Sequence, residues 1–164
     1  MKSTRRICAI ALGLALLLSG CGAGAARRAA REINGASALP MALLTPRAGV
    51  NPAGYDDYIP NYTSSDYYGE DYTLSFGGFP TDKDKYFLTG ITWTGEGFDL
   101  FGVKVGDDPR QAAEMIQARG YTRTGDGYIS EFDKNGVTVR LTGDAIIEKI
   151  SIHVPTAFTS GNLY

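Results

Sequence analysis

The chain has 164 residues, 43% of them hydrophobic, 11% aromatic and 21% charged, which is the composition of a globular protein with one domain as the length-based expectation. Charge is nearly balanced overall, but Lys2, Arg5 and Arg6 precede an apolar run; without the first twenty residues, 13 basic residues face 18 acidic ones, a net charge of −5. Nucleic-acid binders carry the opposite sign, clustered on one face, so that class is excluded as an expectation.

Residues 1–20 read as an export signal. A positive start is followed by an apolar run from Ile7 to Leu18, 12 residues long, whereas a membrane-spanning helix needs about 20. The run ends in Leu18-Ser19-Gly20-Cys21. This stretch resembles the lipobox of bacterial lipoproteins, in which the signal is cut before the cysteine and the thiol carries a diacylglycerol. The resemblance implies that Cys21 is the lipidated first residue of the mature chain, anchored at the extracytoplasmic face of the cell membrane. Cys8 would leave with the signal, so Cys21 has no partner for an internal disulfide, and lipidation accounts for an otherwise free thiol in an oxidising compartment.

Residues 21–54 are expected to be the lipidated N-terminus and a flexible spacer, because Ala, Gly, Pro and Arg dominate and no period of 2 or 3.6 is sustained; Ala25 to Ile33 has the propensity for a short helix, marginal in water without packing partners. Arg27, Arg28 and Arg31 fall close to the expected lipid, as contacts for anionic headgroups or as a solvated basic linker. The domain proper is expected at 55–155, opening with a Tyr- and Asp-rich loop region at 55–71. Tyr55, Tyr58, Tyr62, Tyr67, Tyr68 and Tyr72 interleave there with acidic residues. Two readings stand for them: a recognition surface, since tyrosine gives rigid amphipathic contact area, or a loop whose rings pack on the sheet edge with the acids solvated.

Beyond Tyr72 the pattern is α+β, an antiparallel sheet packed against one main helix. Strands are expected at 72–76, 85–94 and 98–106. A helix follows at about 109–119, with Asp108 as N-cap, Pro109 at its first position, Gln111 completing a capping box, Ala112, Ala113 and Ile116 inward, and Gly120 as the left-handed residue after it. Asn135-Gly136 is a type I′ hairpin signal joining 128–134 to 137–142. The two-residue loop sets Phe132 opposite Val139 and Glu131 opposite Arg140, with Tyr128, Phe132, Val139 and Leu141 on the inner face. A third strand at 146–154 turns Ile150, Ile152 and Val154 inward, and 156–164 reads as a C-terminal tail.

Catalytic and metal signatures are weak. His153 is the only histidine and falls on the outer face of its strand; no Gly-x-Ser-x-Gly elbow surrounds a serine. EF-hand loops begun at Asp82 or Asp133 fail at the required glycine. No cofactor or metal site is therefore expected, and no enzyme. The segment LFGVKVGDDPRQAAEMIQARGY (100–121) resembles, through Val103, Val105 and Gly106 at a strand end and the helix that follows, small envelope-lipoprotein domains of the SmpA/OmlA type, whose fold is related to β-lactamase inhibitor proteins. The resemblance, over about residues 100–154, implies a non-catalytic module that contacts protein. The expected function is a membrane-anchored extracytoplasmic lipoprotein that binds another envelope protein or component; the alternative is a module binding a small ligand or cation.

Overall fold

The computed structural model describes residues 24–55, 57–60, 64–78 and 85–155, with 57–60 as backbone. The expected signal peptide, Cys21 and the C-terminal tail lie outside the described residues, as do the side chains of Tyr58 and Tyr62.

The first described element, α1 (24–36), overturns the expectation of a spacer. Ala26, Ala29, Ala30 and Ile33 recur at i, i+3, i+4 and i+7, and all four are buried in the single core. An isolated helix of this length is marginal in water, so its stability comes from that packed stripe. The chain after it is also tied down. Asn34 donates its amide to the Leu43 carbonyl (3.0 Å) and accepts from the Leu43 N–H (2.8 Å), closing the loop in the manner of a backbone pair. Leu44 N–H donates to Leu88 O, Leu88 N–H to Thr45 O and Arg47 N–H to Tyr86 O, which lays 44–47 beside the next strand but three.

Among the described residues, eight strands form one antiparallel sheet: β1 (Asp57–Pro60), β2 (Ser64–Tyr68), β3 (Tyr72–Gly77), β4 (Phe87–Trp93), β5 (Thr122–Arg123), β6 (Ile129–Lys134), β7 (Val137–Thr142) and β8 (Lys149–His153). Their spatial order is β1-β2-β3-β4-β8-β7-β6-β5. The described residues of the Tyr- and Asp-rich segment are thus not all loop: they supply the edge strand β1 and its neighbour β2. The second helix, α2 (Pro109–Ala118), precedes β5. The architecture repeats itself, a helix followed by a four-stranded meander, twice, with the last strands of the two halves paired at the centre through Gly90↔His153 to Trp93↔Ile150. The fold class is α+β, as expected, but with two helices and a sheet larger than the one read from sequence.

Local signals hold where they are strong. The Asp108 carboxylate accepts from the N–H groups of Arg110 (2.8 Å) and Gln111 (3.0 Å), and Gly120 takes φ +82° after the helix. Asn135 and Gly136 both have positive φ, and the β6–β7 register matches every pair expected of it. Two expectations fail. Residues 98–106 do not form a strand, because Phe101 and Gly102 adopt φ of +56° and +88° and fold the chain back so that Leu100 and Val103 bond to each other. Tyr128 lies outside β6 and is exposed, its hydroxyl donating to Glu148 (2.7 Å) instead of entering the core.

Strand alternation assigns the two sheet faces. The row Tyr67, Leu74, Ile91, Ile152, Val139 and Phe132 crosses six strands in register and is buried throughout. It belongs to the same core as the apolar stripes of α1 and of α2 (Ala112, Ala113, Ile116), so both helices cover this face. Lys134 clasps the two halves at one end, bonding to Glu32 of α1 (2.6 Å) and to the Arg119 carbonyl at the end of α2.

Candidate functional site: the open face of the sheet

The opposite face is polar and follows from the same alternation. One row runs Tyr68, Thr73, Thr92, Ser151, Arg140, Glu131; the next runs Asp66, Ser75, Gly90, His153, Thr138, Asp133. At about 4.8 Å per strand, each row spans roughly 24 Å. Thr92, Ser151, Gly90 and His153 occupy the middle, where the two halves of the sheet meet, and charged residues sit toward the ends. Gly90 lets the two strands meet without crowding there, since a Cβ would lie 3.0 Å from that of Ser75 on the neighbouring strand. Small side chains thus surround the His153 ring at the centre of the face.

Its fixed points are few and specific. Thr92 Oγ1 donates to Ser151 Oγ (3.1 Å) across the central seam, and Arg140 pairs with Glu131 on β6. Thr138, Arg140, Ser151 and His153 frame a depression of about 100 Å³. Drug-sized ligands fill pockets of about 300–1,000 Å³, so this hollow holds a few waters or one protruding side chain, not a metabolite. Partial burial of the His153 ring, and then the Arg140 guanidinium, hold its pKa below the ordinary imidazole value, leaving a neutral ring at neutral pH. The histidine is on the outer face, as alternation predicted.

A second hollow, about 380 Å³, runs between α2 and the loops flanking β6 and β7. Of the two arginines that line it, Arg123 donates to Gly125 O (3.2 Å), to the Asp126 carboxylate (2.7 Å) and to the Ser130 hydroxyl (2.8 Å). Among the described residues no group of three His, Cys, Asp or Glu side chains is placed to hold a metal ion, and no helix is long and apolar enough to cross a membrane.

Among the described tyrosines of that segment, most rings pack inward. Tyr67 is fully buried, packed edge-on against Tyr55 (ring centroids 5.0 Å apart) and Phe76 (5.2 Å). Tyr72 is half-buried against Phe98 (5.5 Å), and burial, followed by the neighbouring Tyr72 and Tyr67, raises the Tyr55 pKa. Of the described tyrosines in that segment, Tyr68 alone lies on the open face, because β2 alternates and Tyr67 takes the inner position. Sequence reading missed the open face as a whole. Its signal was the polar half of each alternating strand, Thr92 in 85–94 and Ser151 and His153 in 146–154, but joining them requires the β4–β8 pairing between segments about sixty residues apart.

The molecule so defined is an α+β protein whose described residues build one eight-stranded antiparallel sheet, with α1 and α2 on one side and a polar face on the other. The chain matches no known protein family and no curated protein. Among solved structures it is similar to an extracellular protein containing a SCP domain from Bacillus anthracis str. Ames, with a TM-score of 0.44 and 9% identity over 70% of this chain and 45% of that one. The chain thus spans less than half the length of that protein, and a likeness of this degree assigns neither fold family nor activity.

Proposed function

We propose that the protein is a non-catalytic extracytoplasmic lipoprotein, held to the membrane by a diacylglyceryl group on Cys21, that presents the open face of its sheet to another protein of the envelope. The observation that carries the binding half is the composition and shape of that face. Rows of Thr, Ser and Gly give a centre with low side-chain entropy to lose, His153 stands among them at the seam, and the Glu131–Arg140 pair adds direction at one side. The hollow on this face framed by Thr138, Arg140, Ser151 and His153 is too small for a metabolite, which favours a macromolecular partner over a small ligand at that place. The lipobox Leu18-Ser19-Gly20-Cys21 supports the anchor.

Two measurements test the reading separately. Metabolic labelling with a fatty-acid analogue is expected to tag the wild type and to leave Cys21→Ala unlabelled; equal labelling removes the anchor. A photo-crosslinking residue at Ser151 is expected to capture a defined partner in intact cells, whereas the same group at Glu114, on the exposed side of α2, does not. Identical capture at both positions removes the open face as the binding surface.

A further inference from the structure

We infer that the outward face of α1 docks on anionic lipid headgroups through Arg28 and Arg31, so that the helix layer lies against the membrane and the open sheet face points away from it. This rests on the lipid anchor at Cys21 and adds an orientation to it. The first buried residue, Ala26, comes five positions after Cys21, and α1 is formed from residue 24. The two intervening residues can hold the start of the helix no more than about 11 Å from the anchored cysteine. The folded domain is therefore not on a long leash; it begins at the bilayer surface.

Helical geometry decides which side of α1 meets that surface. With Ala26, Ala29, Ala30 and Ile33 inward, steps of 100° place Arg28, Arg31 and Gly35 on the opposite side, and all three are exposed. The acidic residue of the helix, Glu32, is turned aside and committed to Lys134. A positive face thus sits beside the anchor in a chain whose residues from 21 onward carry a net charge of −5, with 13 bases against 18 acids. A negatively charged membrane attracts that face and repels the acidic remainder, so the two effects select one orientation. Each basic residue near an anionic surface contributes roughly a fivefold bias, about thirtyfold for the pair.

The test uses the full-length protein, purified with its lipid and carrying Gly35→Cys as the labelling site. Position 35 shares the face of Arg28 and Arg31, and a Cβ there meets nothing within 4 Å. Cys21 would be blocked by its thioether, so a fluorophore reports position 35. The protein is reconstituted into vesicles of phosphatidylcholine, or of equal parts phosphatidylcholine and phosphatidylglycerol, containing a headgroup-linked quencher. Strong quenching is expected in the anionic vesicles, with loss of most of it in neutral vesicles, in raised salt and in R28Q/R31Q. Flotation with both vesicle types but quenching indifferent to lipid charge and to R28Q/R31Q overturns the docking while leaving the anchor intact. Quenching in neutral vesicles that grows with protein density assigns the face to a second copy of the chain and also overturns it. Failure to float with either vesicle type removes the anchor itself, and the docking with it.

Discussion

Replacing Ile33 by Ala tests whether α1 is part of the folded domain. The side chain is fully buried in the shared core with Ala26, Ala29 and Ala30. The change removes three carbons; at about 0.8 kcal/mol per buried methylene the transfer part is roughly 2.4 kcal/mol. A residual cavity adds to this, and the better helix propensity of Ala returns about 0.4 kcal/mol, so a loss of about 2–4 kcal/mol is expected. Against a total stability of about 5–15 kcal/mol that is a large fraction. In urea, measured on the full chain, the midpoint should fall with the slope unchanged; on heating, Tm should drop by roughly 5–15 °C for a domain of this size. Gly35→Ala serves as the control. It lies on the exposed side of the same helix with open space around it, so it should stabilise slightly or do nothing. A loss below about 0.5 kcal/mol for Ile33→Ala, equal to ordinary surface substitutions, would refute the packing of α1 and restore the spacer.

Further outcomes follow from single contacts. Asp108→Ala leaves two α2 N–H groups without their carboxylate and should cost about 1 kcal/mol in a denaturant melt, with Asp108→Ser largely restoring it. Gly143→Ala should cost several times more, since φ is +143° and the added Cβ would meet the Ile146 carbonyl oxygen and the Glu148 nitrogen, which are backbone and cannot swing aside. His153 has a folded-state pKa below its unfolded value of about 6.5, so the unfolded chain binds the proton more readily; the stability this contributes is present above pH ~6.5 and is lost as pH falls through the folded pKa. Urea midpoints measured downward from neutral pH should fall less steeply in His153→Gln than in the wild type, and parallel curves would contradict the environment assigned to the ring.

The parts of this fold that were legible in the sequence are those whose causes are local. Asp108, Pro109 and Gly120 mark α2 by capping chemistry within a dozen residues, and Asn135-Gly136 sets the β6–β7 register by itself. Failures arise where distant contacts outweigh local pattern. The stripe on α1 has helical spacing but consists mostly of alanine, so it is hard to tell from a linker until the sheet that covers it is in place. Phe98 to Gly106 alternates like a strand, yet Phe101 accepts a left-handed backbone, its N–H donating to Ser37 Oγ (3.0 Å) directly after α1. The tyrosines of 55–72 gave a compositional signal without a direction; only strand pairing shows that Tyr67 faces in and Tyr68 out. The candidate surface is the least legible feature, because no single segment contains it.

The seam between the halves also dictates an order of events in synthesis. Each meander is built from neighbouring strands and can close as soon as its own residues are available, whereas β4 receives its second partner from β8, about sixty residues later. Until then the Gly90-to-Trp93 backbone, with the buried Ile91 and Trp93 beside it, is an unpaired apolar edge open to any other extended chain. A nascent molecule is thus most prone to mispair during the interval between its two halves, and the late arrival of one five-residue strand closes that interval.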